Sequence, residues 1–231
     1  MTTKPPAQPG QKRTRRRTGS YAAADAKRAA ILDAAIQRFA QLGYLRSSLA
    51  QIAADVGSSP AGLLHHFGSK ERLLLAVLDA RSDRVVKLIG ADGRPDTDVD
   101  LVEEFRTLLL LLERNIAQPG FMLMFSKLSV EAADPDHPAH AFFTDHYQKN
   151  RTQTADRLRV AEREGRLRPG ENWDALAREF MAVWDGLQIQ WALDPDHFDL
   201  VDPMRGWINR FLRAYAVDGL DLDANTPAPG A

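Results

Sequence analysis

The stretch SLAQIAADVGSSPAGLLHHFGSK, from Ser48 to Lys70, decides how the rest of the chain is read. Leu49, Ile52, Ala53 and Val56 recur at i, i+3, i+4 and i+7, which places one apolar stripe on a helix of about two turns. Ser48 followed by Gln51 is a capping box that marks the start of this helix. Gly57 marks its end, because glycine enters a left-handed turn without steric cost. Ser59 then caps a second helix, with Pro60 at the first position, where a missing N–H costs nothing. Leu63 and Phe67 lie four apart and anchor this helix on the first, and Ala53 is small enough to let the two cross closely. Pro60, Ala61, Gly62, Leu64 and His65 are left facing outward. Another helix opens at once, with Ser69 as cap, Lys70 and Glu71 in its first turn, and Leu73, Leu74, Val77 and Leu78 as its stripe. Two short helices about a glycine turn have the form of a helix-turn-helix, although an ordinary helical hairpin shares the spacing.

Charge separates these readings. Residues 1 to 72 carry twelve Lys and Arg against four acids, a balance of +8, whereas the remaining residues carry a balance of −9, so the overall −1 hides a polarised molecule. A basic amino-terminal module beside an acidic body suits phosphate binding at one end, since each neutralised phosphate releases counterions. Residues 1–20 add Pro5, Pro6, Pro9, Gly10 and the run Lys12-Arg13-Thr14-Arg15-Arg16-Arg17. With almost no large apolar residue this segment reads as a disordered basic arm. Arg13, Arg15, Arg16 and Arg17 are candidates to follow the phosphates or enter the adjacent minor groove. No apolar stretch follows the charges, so it does not read as a signal peptide.

Beyond the reader, helical periods predict Leu101 to Ala117, Phe121 to Ala133, Ala139 to Arg163, Asp174 to Leu193 and Met204 to Val217, with breaks rich in Pro, Gly or Asp between them. The fold class is therefore all-α. The expected layout is the arm at 1–20, a three-helix helix-turn-helix domain at 21–70, a carboxy-terminal helical bundle at 71–220 and a flexible tail at 221–231. Ala26 to Leu42 forms the first helix of the reader and ends at Gly43. The leucine run from Leu108 to Leu112 is far too short to cross a membrane. Absence of cysteine suits a reducing compartment and excludes a thiol nucleophile, so a cytoplasmic protein is expected.

The chain contains no phosphate-cradling glycine loop, no Gly-x-Ser-x-Gly elbow and no His-Glu-x-x-His, so neither catalysis nor a cofactor is expected. His137, His140 and His146 with Asp134, Asp136 and Asp145 fit a loop and helix cap around Pro135 and Pro138 better than a metal site. A small-molecule site is better sought among apolar and aromatic groups with a few polar handles. Phe121, Met124, Phe125, Phe143, Tyr147, Trp184, Gln188 and Trp191 are the candidates, although plain core packing would use the same residues. A helical enzyme, or a nonspecific DNA-binding protein with a basic head, are the alternatives to a ligand-responsive regulator.

Over about residues 25 to 80 the chain resembles the TetR-type bacterial repressors. Their reader runs roughly Thr-Thr-x-x-x-Ile-Ala-x-x-Ala-Gly-Val-Ser-x-Gly-x-Leu-Tyr-x-His-Phe-x-Ser-Lys-Glu-x-Leu. Here Ser47, Ser48, Ile52, Ala53, Val56, Gly57, Ser59, Leu63, His66, Phe67, Ser69, Lys70, Glu71 and Leu73 stand at the matching places. Leu64 replaces the Tyr whose hydroxyl reaches a phosphate, Ala61 the commoner Gly, and Ser58 the commoner Val. The resemblance assigns Arg46, Ser47, Ser48, His66 and Lys70 to phosphates, and Pro60, Ala61, Gly62 and His65 to base edges. The turn Pro60-Ala61-Gly62 has no hydrogen-bonding side chain, so direct reading there is apolar, with Leu64 alongside and Ser59 and His65 as the polar candidates.

The segment from Trp184 to Pro195 resembles the penultimate helix of the betaine-regulator-type carboxy-terminal domain within that family. The resemblance implies a small molecule bound between the helices of the bundle. It also implies a homodimer through Gly186, Leu187, Gln190, Leu193, Trp207, Ile208, Phe211, Leu212 and Tyr215. Two copies of the reader would then meet successive major grooves of a pseudo-palindromic operator on double-stranded DNA. A small-molecule effector would release them, with coupling expected through the Lys70 helix as the only continuous element touching both domains.

Overall fold

In a computed structural model, which describes residues 15–89, 100–217 and 220–222, the chain is built from α-helices. Among these residues there are nine: α1 (Arg15–Arg46), α2 (Leu49–Asp55), α3 (Pro60–Phe67), α4 (Lys70–Ile89), α5 (Leu101–Ile116), α6 (Pro119–Glu131), α7 (His140–Arg163), α8 (Trp173–Leu193) and α9 (Val201–Tyr215). The all-α reading holds, and α5 to α9 lie within three residues of their expected limits. None of the described helices is long and apolar enough to cross a membrane.

The amino-terminal caps form as the sequence dictates. Ser48 Oγ accepts from Gln51 N at 3.2 Å, and Gln51 Oε1 accepts from Ser48 N at 2.8 Å, closing the capping box of α2. Ser59 Oγ takes Gly62 N at 3.1 Å, and Ser69 Oγ takes Arg72 N at 3.1 Å. Gly57 and Gly68 have φ of 60° and 82°, the left-handed geometry that lets the chain reverse between helices. Ile52, Ala53, Leu63, Phe67, Leu73, Leu74 and Val77 are buried together with Ile31, Ala35 and Phe39 of α1. Each large apolar side chain removed from water contributes roughly 1.5–3 kcal/mol. Arg38 clamps α2 to α1 through two bonds of 2.6 Å to Asp55, and this pairing holds the Asp55 carboxyl below its ordinary pKa.

Two boundaries differ from expectation. Helix α1 begins at Arg15, so residues 15–20 of the expected arm are helical backbone; Arg13 and the rest of the arm lie outside the described residues. The expected tail also begins too early. Leu222 is buried, its N–H donates to Asn209 Oδ1 at 3.0 Å, and its carbonyl accepts from Arg106 at 2.8 Å. The loop from Gly90 to Asp98 and the tail beyond Leu222 lie outside the described residues.

The bundle core joins Leu101, Phe105, Leu109 and Leu112 of α5 to Leu158 and Ala161 of α7, Trp173 and Ala177 of α8, and Met204, Ile208 and Leu212 of α9. Asp100 and Asn172 cap α5 and α8. A short antiparallel bridge between Leu167 and Ala216 ties the α7–α8 connection to the end of α9. It carries Arg168 N to Tyr215 O at 2.8 Å and Val217 N to Arg166 O at 3.0 Å.

A second core unites the reader with the bundle. Phe121, Met124 and Leu128 of α6 and Phe143 of α7 are buried against the α1 to α4 cluster, and α6 lies along α1. Gly43 breaks α1 with φ 75° and ψ 173°, a region open to glycine alone, and its Cα faces the Glu131 carboxylate. Gly43→Ala is expected to cost about 1–3 kcal/mol of stability, read as a lower midpoint in urea unfolding; an unchanged midpoint would show that this backbone geometry is not required.

Candidate nucleic-acid interface

Helix α3 presents the outward surface of the reader. Pro60, Ala61, His65 and His66 are exposed, Leu64 is 44% exposed and Gly62 is half-buried. The reading face is therefore apolar except for its histidines, as its sequence requires. Ser59 and Ser48 are exposed, but their hydroxyls are engaged in capping. Arg46 is exposed at the end of α1 and donates from Nε to Leu42 O at 3.1 Å, which leaves its terminal nitrogens clear of that bond.

Two residues assigned to phosphates have inward commitments. Ser47 is buried, and its hydroxyl donates to Gly43 O at 2.7 Å, so it holds the corner after the α1 break and does not reach outward. Lys70 is half-buried with its ammonium 4.0 Å from the centre of the Tyr44 ring, a cation–π contact. Desolvation holds its pKa down. The sequence reading missed Tyr44, whose buried ring and hydroxyl, donating to Glu71 at 3.2 Å, organise this corner.

The corner is gripped from outside the reader. Lys127 of α6 donates to Ala40 O at 2.5 Å and to Gln41 O at 3.3 Å, placing a cation on the carbonyls that α1 leaves unpaired before its break. Four residues further along α6, Glu131 Oε2 accepts from Tyr44 N at 3.0 Å, on the other side of the break. Helix α4 is thus not the only element touching both domains, and the coupling expected through it alone is corrected. Alternating helical periodicity carries no signal for such long-range caps.

The eight candidates for a small-molecule site do not converge. Phe121, Met124, Phe125, Phe143 and Tyr147 belong to the core shared with the reader, whereas Trp184 and Trp191 pack with the bundle core. Gln188 is buried and donates back to Trp184 O at 3.4 Å. Tyr147, Phe143, Phe125 and Phe121 form a continuous ring chain with centroid separations of 6.4, 4.9 and 6.0 Å. A cleft of about 390 Å³ opens instead between α7 and α8, lined by Thr144, Tyr147, Gln148, Arg151, Arg178, Met181, Ala182 and Asp185. Only Tyr147 is common to both sets. Its hydroxyl donates to Asp185 at 2.8 Å, and burial raises the pKa of both groups.

The residues assigned to a dimer interface also divide. Gly186, Leu187, Trp207 and Tyr215 are half-buried, Gln190 is exposed and Leu193 is 81% exposed. Ile208, Phe211 and Leu212 are corrected, because their side chains fill this chain's own core and offer no surface to a partner. Ile189, missed earlier, is exposed on the same helix as Leu193.

The histidines weighed as metal ligands act locally. His137 Nδ1 accepts from Ala139 N at 3.2 Å, His140 Nδ1 bonds Ala132 O at 2.9 Å, and His146 pairs with Asn150 at 2.9 Å.

A capped helix-turn-helix with an exposed second helix, carried on a helical bundle, defines a DNA-binding transcriptional regulator. Comparison with known proteins gives the family. Residues 31–77 match the tetR family of bacterial regulatory proteins, and residues 106–217 match the carboxy-terminal region of BetI-type transcriptional repressors. The chain belongs to the TetR family. It is 28% identical over 213 residues to the regulator TtgR of Pseudomonas putida, spanning 87% of this chain and 93% of that one. It is 33% identical over 107 residues to RutR of Escherichia coli, covering 46% and 50% of the two chains. Among solved structures, SmeT in complex with triclosan superposes with a TM-score of 0.69 at 20% identity, covering 89% of this chain and 99% of that one. A regulator from Saccharomonospora viridis in complex with choline gives 0.63 at 25% identity, covering 82% and 96%.

His137 supplies a pH test of the corner. It is buried, its Nε2 lies 3.7 Å from Glu131 and has no hydrogen-bond partner, and its ring meets the Tyr44 ring edge-on at 5.1 Å. Desolvation lowers its pKa from the ordinary 6.5, against the pull of Glu131 and Asp134 and with help from Lys70. The fold therefore favours neutral His137, so its contribution is complete above about pH 6.5 and is lost as pH falls below. The melting temperature is expected to drop on acidification through this range, and His137→Asn to flatten that drop; parallel profiles would remove His137 as the cause.

Proposed function

We propose that this protein is a homodimeric repressor whose two α3 helices enter successive major grooves of a pseudo-palindromic operator, and that a small molecule bound in the bundle releases it. The observation that carries this reading is the exposed, nearly uncharged face of α3 on a reader whose α1 is gripped by α6. Shape, phosphate contacts and the basic segment ahead of α1 supply much of the affinity, and apolar contact with thymine methyl groups supplies direct reading. Exposed Ile189 and Leu193 on α8 support dimerisation through the last two helices. The relatives known as regulators support a non-enzymatic role, and the absence of cysteine from the sequence supports a cytoplasmic setting.

Release by ligand needs two arrangements of the paired readers, one of which fits the operator and the other the effector. The α6–α1 grip is the element through which the bundle sets the reader's position.

Selection of genomic fragments by the purified protein is expected to recover one dyad-symmetric motif. Random fragments would favour the nonspecific binder and defeat this reading. On the recovered operator, Leu64→Ala and His65→Ala are expected to relax base preference by about 1–3 kcal/mol at single positions. Arg46→Ala and deletion of residues 1–14 should instead weaken all sequences alike and lower the salt slope. Equal loss on operator and random DNA for Leu64→Ala would exclude it from reading.

A further inference from the structure

We infer that the cleft between α7 and α8 binds a small organic acid bearing a hydroxyl group, its carboxylate on Arg151 and Arg178 and its hydroxyl on Asp185. The inference rests on the ligand-responsive reading above and gives the effector a chemical class. Three features of the cleft lead to it.

The first is charge. Arg151 projects from α7 and Arg178 from α8, and both line one cavity whose only carboxylate is Asp185. Neither guanidinium is in an ion pair among the described residues. Two cations face one carboxylate, and that carboxylate already accepts the Tyr147 hydroxyl at 2.8 Å. Burial further raises the Asp185 pKa, so the cavity as a whole favours an anion. The guanidinium fork matches a carboxylate in geometry as well as charge.

The second is size and lining. A volume of about 390 Å³ lies at the small end of ligand pockets, which run from roughly 300 to 1,000 Å³. Met181 and Ala182 give it an apolar wall, and methionine adapts to varied shapes. A quaternary ammonium would require several aromatic faces around it; this cleft offers one ring, Tyr147, beside two guanidiniums.

The third is connection. Tyr147 is at once a wall of the cleft and the first ring of the chain that runs through Phe143 and Phe125 to Phe121 on α6. A hydroxyl that competes for Asp185 displaces the Tyr147 hydroxyl from its acceptor and shifts this ring. The movement is then felt on α6, the helix that holds the α1 break through Lys127 and Glu131. On α8 the cleft residues 178, 181, 182 and 185 are turned about a third of a turn from Gly186, Leu187, Gln190 and Leu193, so the site does not consume the surface proposed for dimerisation.

The test uses the full chain and a charge series on one skeleton: 4-hydroxyphenylacetate, its neutral amide 4-hydroxyphenylacetamide, and the cation tyramine, each titrated by calorimetry. The acid is expected to bind saturably, the amide about ten- to hundred-fold more weakly, and tyramine more weakly still, matching the loss of charge-assisted hydrogen bonds. The Arg151→Gln/Arg178→Gln double variant, checked for folding by circular dichroism, should lose the acid by a similar factor and abolish the order of the series. Absence of saturable binding of the acid at millimolar concentration, an equal affinity for all three probes, or acid binding that survives the double substitution would each overturn the inference. Operator selection by the unsubstituted protein is scored separately, so failure of the cleft and failure of the regulator reading give different results.

Discussion

The arrangement of this molecule depends on how one helix end is capped. Helix α1 breaks at Gly43, where carbonyls on one side and an N–H on the other lose their helical partners. Both needs are met by α6, with Lys127 on the carbonyls and Glu131 on the N–H of Tyr44. Because the caps come from the bundle, the reader cannot rotate freely about its own connection at α4. The apolar contacts of Phe121, Met124 and Leu128 with the reader reinforce the same alignment. Burial supplies the attraction in this seam, and the directional bonds fix its register.

This division of labour fits a regulator. Hydrophobic burial is non-directional and tolerates a small slide, whereas charge-assisted hydrogen bonds to backbone groups do not. A seam built from both has a preferred arrangement with a penalty for small departures, the property that lets modest differential binding in the bundle shift the position of a distant helix. Tyr44, Lys70, Glu71 and His137 crowd the same corner, so polar and charged groups gather at the junction where the reader meets the bundle.

The sequence was most legible where structure is local. Ser48 with Gln51, Ser59 with Pro60, Gly57 and Ser69 each specify a cap or turn within a few residues, and each forms as read. Periodicity placed α5 to α9 because every one buries a stripe. What escaped were contacts between residues far apart in the chain: Lys127 and Glu131 with the α1 corner, Leu222 with Asn209, and Arg151, Arg178 and Asp185 around one cleft. Aromatic residues were misleading for the same reason. Phe121, Phe125 and Phe143 have the composition of a pocket lining, but composition does not distinguish a lining from a packed row, of which only Tyr147 also lines the cleft, and Ile208, Phe211 and Leu212 have the spacing of an interface while facing inward.

The bridge between Leu167 and Ala216, with Leu222 fastened to Asn209 and Arg106 beyond it, bears on assembly. The carboxy-terminal end of α9 is thereby sewn into the subunit that made it. Exchange of this helix between two copies would require these backbone pairs to open and the buried Leu222 to leave its seat. In the proposed homodimer, subunits meeting through α8 and α9 would therefore associate as finished bodies, and domain swapping at this end of the chain is discouraged by the fold itself.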